Sequence, residues 1–122
     1  MTVVRRADAR RTATPNATMT TCASPTQGGA HLALWRVEME PGASGPLHAV
    51  DVEQVWTVLA GSASVDIAGD AHDLGAGDTL VLPPDVPRRV RATAAFSALV
   101  AAPAGAHAVQ EGAEAVVAPW WA

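Results

Sequence analysis

The stretch 41–61, PGASGPLHAVDVEQVWTVLAG, decides how this chain is read. It opens on a Pro-Gly turn, brings His48 out of a Gly-Pro sequence, and closes on Ala60-Gly61. In extended backbone, successive side chains point to opposite faces. One face of 54–59 then carries Gln54, Trp56 and Val58, and the other carries Val55, Thr57 and Leu59. Read backwards as a single strand, the first face also takes in His48, Val50 and Val52. A histidine, an amide and an indole on one apolar face announce a site.

The same punctuation recurs along the chain. Turn residues cluster at 25–29, 41–46, Ala60-Gly61, Gly69-Asp70, 75–78, 83–87 and 103–105. The runs between them, rich in Val, Leu, Ala, Trp and Thr, have the length of strands, and no window holds a helical stripe. Many short strands at this spacing predict an all-β barrel or sandwich. Over 86–92, Val86, Arg88 and Val90 share one face while Arg89 and Arg91 take the other. A guanidinium on an inward apolar face requires a partner.

At 122 residues the chain has the length of one domain, and 49% hydrophobic against 16% charged residues makes it globular. Its net charge of −4 lacks the basic stripe that nucleic-acid binding needs. No apolar run reaches membrane-spanning length, and the single Cys22 cannot form an internal disulfide. A cytoplasmic protein with no membrane partner is expected. Residues 1–18, rich in Thr, Ala and Arg and without periodicity, are expected to be a mobile tail. The domain is then 19–122.

Two motifs in this order resemble the cupin superfamily. Gly42, five residues, His48, Val50, Gln54 and Gly61 follow the spacing of its first motif. Gly77-Asp78, an apolar run 79–82, Pro83-Pro84-Asp85 and Arg88 follow the second. The resemblance covers roughly residues 30–102 and implies a single jelly-roll β-barrel. It further implies a metal site of three imidazoles and a carboxylate or amide. Only His48 keeps its ligand identity; Gln54 is a known kind of substitute for Glu, and Val50 and Arg88 are not ligands. A divalent Fe, Mn, Zn or Ni ion would therefore rest on His48 and Gln54 alone, unless Asp51, Glu53 or another His closed the shell. The favoured expectation is no cofactor.

The remaining groups support a small-molecule pocket. His48 titrates near neutral pH and is a candidate general acid or base; its bland alternative is a pocket histidine bonded to Gln54. Arg88 is a candidate catalytic and substrate-binding anchor for an anionic or carbonyl-bearing ligand; alternatively it reaches the barrel mouth and pairs with Asp51, Glu53 or Asp85. Gln54, Trp56 and Trp35 are candidate substrate-binding residues, the two indoles forming a wall for a planar group. Three functions follow: a non-redox isomerase, cyclase or lyase; a metal-dependent dioxygenase-like protein; or a silent binding or sensing module. His31, His72 and His107 have no implicating spacing. The adjacent Trp120 and Trp121 are expected to dock on the barrel or on a second subunit, and a homodimer is expected.

Overall fold

The computed structural model describes residues 1–122. It contains eleven strands and no α-helix: β1 (Arg10–Ala13), β2 (Thr18–Ala23), β3 (Leu32–Met39), β4 (Ala49–Val50), β5 (Gln54–Ala60), β6 (Ser62–Ile67), β7 (Asp70–Gly75), β8 (Thr79–Leu82), β9 (Arg88–Ala92), β10 (Phe96–Pro103) and β11 (Ala108–Val109). A six-stranded antiparallel sheet has the order β1-β2-β3-β10-β5-β8. A second sheet has the order β7-β6-β9, and β11 pairs with β4. The chain is thus the expected all-β barrel of jelly-roll type. No helix is long and apolar enough to cross a membrane.

Alternation of buried and exposed residues along the strands closes the core. On β3, Ala33, Trp35, Val37 and Met39 are buried while Arg36 and Glu38 are exposed. On β10, Phe96, Ala98, Val100 and Ala102 face the same interior. Ala63 and Val65 of β6 and Val90 and Ala92 of β9 meet them from the other sheet. One apolar and one polar face per strand is the arrangement two facing sheets require.

Two local expectations are changed, and a third, which held two alternatives, is decided. The segment 48–54 is not one strand. His48 makes an isolated bridge with Arg88, β4 is two residues long, and a bend at Asp51-Val52 precedes β5. The cause is pairing to two different partners: 42–48 lies along β9, with His48 N–H donating to the Arg88 carbonyl at 3.0 Å and the reverse bond at 2.8 Å. Beyond the bend, β5 pairs with β10 and β8. Second, the leader 1–18 is not simply a loose tail, because β1 within it pairs with β2, Arg10 opposite Thr21 through Ala13 opposite Thr18. The Arg10 guanidinium also donates to Thr26 Oγ1 at 3.0 Å and to the Ala122 carbonyl at 3.0 Å. Polar anchoring of this kind leaves no hydrophobic period in the sequence.

Third, the Trp pair docks on its own barrel. Trp121 is 3% exposed, its ring centroid 5.6 Å from that of Trp35, and its indole N–H donates to the Ala106 carbonyl at 2.8 Å. Thr21 Oγ1 donates to the Trp120 carbonyl at 2.7 Å, so β2 also holds this segment.

Gly61 turns β5 into β6 at φ +76°, where an added Cβ would stand 1.7 Å from the Ala95 carbonyl oxygen. A Gly61→Ala variant is expected to lose at least ~2 kcal/mol in urea denaturation, from the left-handed backbone and the clash together. Trp121→Ala, which empties a buried aromatic site, is expected to cost ~3–5 kcal/mol in the same measurement.

Candidate functional site

A cavity of about 410 Å³ opens between the two sheets. Met19, Trp35 and Val37 line it from β2 and β3, Gln54 and Trp56 from β5, and Val90 from β9. His48 stands at its side and 116–121 forms the facing wall. Most of the lining is apolar, so the few polar groups decide what it can hold. A second cavity of about 530 Å³ contains neither His48 nor Gln54, and its charged groups, Arg11, Glu38 and Glu40, are exposed. The candidate residues line the first.

Strand geometry fixes three of the polar groups. Gln54 and Trp56, two residues apart on β5, share a face, and the Trp56 indole N–H donates to Gln54 Oε1 at 3.1 Å. Arg88 is bridged to His48 by the backbone and lies 1% exposed. Its Nη1 donates to the same Gln54 Oε1 at 3.2 Å, its Nε to the Val86 carbonyl at 2.8 Å and its Nη2 to the Pro83 carbonyl at 3.3 Å. No carboxylate pairs with it: the single ion pair in the chain joins His107 to Asp51 at 3.1 Å.

Arg88 is therefore not where either expectation put it. It does not reach the barrel mouth, and it does not border the cavity as a ligand anchor. Carbonyls in the 83–86 loop and the Gln54 oxygen draw the guanidinium behind β5, because three acceptors offset part of the cost of burying it. Burial pulls its pKa down from the ordinary arginine value, and it remains a cation.

His48 is half-buried at the cavity edge. Its Nδ1 lies 2.9 Å from the Pro46 carbonyl. A carbonyl only accepts, so the proton is on Nδ1 and the Nε2 lone pair is free. Desolvation lowers its pKa below 6.5, the Pro46 bond works in the opposite direction, and the Arg88 charge lowers it further. A neutral imidazole at pH 7 is the result. Trp35 and Trp56 both line the cavity, Trp35 being largely covered by Trp121.

These residues do not fit the family's metal. Gln54 Oε1 already accepts from a guanidinium and an indole, so a positive charge stands where a metal cation would bind. Val50 is fully buried aliphatic core. Asp51 turns outward, its Oδ1 accepting the His107 backbone N–H at 2.7 Å, and this bond holds its pKa below the usual value. Glu53 is exposed, and no three His, Cys, Asp or Glu side chains converge anywhere. His48 alone is a poor ligand set. His107, which no spacing had implicated, serves Asp51 at the surface; only the register of β11 on β4 reveals it.

Sequence comparison with curated proteins finds no match. Among solved structures, an RmlC-like cupin from Shewanella frigidimarina superposes with a TM-score of 0.71 at 22% identity, covering 84% of this chain and 91% of that one. Salicylate 1,2-dioxygenase from Pseudoaminobacter salicylatoxidans gives 0.74 at 22% identity over 85% of this chain and 31% of that one. Oxalate decarboxylase from Bacillus subtilis, a protein described with Mn(II) centres, gives 0.73 at 20% over 80% and 28%. The chain spans about a third or less of the two enzymes, and likeness at this identity shows the fold. The family model described as "Cupin domain" matches residues 35–101, more than half of the chain. With two motifs, one barrel and that match in agreement, this chain belongs to the cupin domain family.

Proposed function

We propose that the barrel holds an anionic or carbonyl-bearing small molecule and moves a proton on it without redox chemistry, as an isomerase, cyclase or lyase does. The observation that carries this reading is the neutral His48, its Nδ1–H tied to Pro46 and its Nε2 lone pair free at the edge of an apolar cavity. A base needs a vacant lone pair, a pKa near working pH and a substrate held within reach. His48 Nε2 takes the proton, the Gln54 amide orients the substrate oxygen, and Trp56 packs on its body. Charge developing on that oxygen is favoured by the Arg88 cation one side chain behind. The proton returns from the imidazolium to a second position on the substrate in an isomerisation, or to the departing group in an elimination, so no external oxidant or reductant enters.

The test needs no knowledge of the natural substrate. Small ketones incubated in D₂O should exchange the hydrogens next to the carbonyl faster than in buffer, followed by proton NMR. His48→Gln should lower that rate ~10²-fold or more while the protein stays folded. Ligand-induced thermal stabilisation without any exchange would instead mark a silent binding module and end the enzymatic proposal. Elemental analysis that found stoichiometric Fe, Mn, Zn or Ni, lost on changing His48, would overturn it in favour of metal chemistry. A cytoplasmic homodimer is proposed on composition and on the habit of small cupins.

The lowered His48 pKa has a thermodynamic counterpart. The unfolded chain takes up the proton near pH 6.5 and the folded protein only at lower pH, so this contribution to stability is present above pH 6.5 and lost as pH falls below it. Urea denaturation of wild type and His48→Gln between pH 7.5 and 5 should show the steeper loss in the wild type, since all other titrating groups are shared.

A further inference from the structure

We propose that Arg88 and Trp56 lock the Gln54 side chain with its oxygen inward and its N–H pair toward the cavity, so that the site selects a ligand presenting a neutral carbonyl oxygen. This inference rests on the cavity being a ligand site, and it chooses between the two ligand classes named above. Arg88 is then a positioning residue, acting through Gln54 and not on the ligand.

An amide can ordinarily be turned over to suit its neighbours. Gln54 cannot, because its two polar neighbours, the Trp56 indole N–H at 3.1 Å and Arg88 Nη1–H at 3.2 Å, are both donors only. Turning the amide would set N–H against N–H on a residue that is 2% exposed. Both side-chain hydrogen bonds of Gln54 are made by its oxygen, which leaves the Nε2 group for the cavity that Gln54 lines. Two donors at this point, with the His48 Nε2 acceptor on the same cavity, make a matched pair for a carbonyl and an adjacent removable proton.

The choice against a carboxylate follows from the walls. Met19, Val37 and Val90, with the indoles, would strip a full anion of water and return one N–H pair. The guanidinium that could compensate it lies behind the amide, its Nη1 and Nη2 on Gln54 and Pro83. A neutral carbonyl has less hydration to lose and aligns with an amide dipole that Arg88 polarises. A cation is repelled from both.

The experiment uses three probes of one shape: cyclohexanone, cyclohexanecarboxylate and cyclohexylammonium. Binding is read by NMR from the Gln54 side-chain amide and Trp56 indole N–H signals. The wild type is expected to show one sharp set of Gln54 amide signals, shifted by cyclohexanone and not by the other two. Gln54→Glu keeps an acceptor for Arg88 and Trp56, so it should fold; its affinity for cyclohexanone should drop ~10-fold and its preference should move to cyclohexylammonium. Arg88→Met should broaden the amide signals and weaken the preference, and Arg88→Lys should restore part of it. A wild type that prefers the carboxylate, or an unchanged preference in Gln54→Glu and Arg88→Met, would sink the lock while leaving the cavity a ligand site. Failure of all three probes to bind would overturn the ligand reading itself, and this inference with it.

Discussion

A buried guanidinium without a carboxylate is the constraint around which this barrel is arranged. Arg88 is held by the Val86 and Pro83 carbonyls and by Gln54 Oε1. Losing any of these acceptors would leave a charge in low dielectric, where an uncompensated cation costs several kcal/mol. The contact with Gln54 ties β9 of the small sheet to β5 of the large one. It settles which end of the amide meets the cavity, and its positive charge helps keep the neighbouring His48 neutral. One side chain thus sets the polarity of two others without bordering the cavity itself.

Most of the fold was legible because it rests on local rules. The alternation over 54–58 and 88–92, and the glycine that ends β5, record facing sheets and a left-handed turn directly in residue order. What was not legible depends on pairing across the chain. Whether 48–54 is one strand or two is decided by β9 and β10, far away in sequence. Strand β1 is secured by Arg10 on Thr26, Ser24 and Ala122, contacts without any apolar signature.

The candidate site divides in the same way. Residue types and spacing named His48, Gln54, Trp56 and Trp35, and the structure gathers all four around one cavity. Arg88 faces inward as its alternation implies, and its guanidinium reaches Gln54 and loop carbonyls without itself bordering the cavity. The alternation of β9 gives the direction of its Cβ; the end of a long side chain goes to the acceptors, and these lie in the 83–86 loop, which has no periodicity to read. The family resemblance fixes the barrel and not the chemistry, since a guanidinium now stands beside the amide that would have bound a metal.

The wall formed by 116–121 has a mechanical meaning. Trp120 and Trp121 bound the cavity and are also clasped to β2 and to Ala106, so the contacts that close the cavity are those that fasten this segment to the barrel. A molecule that filled the cavity would therefore fasten the segment as well, in one linked equilibrium. Releasing the paired indoles would at once unfasten the last residues from β2 and from Ala106 and remove one wall of the cavity.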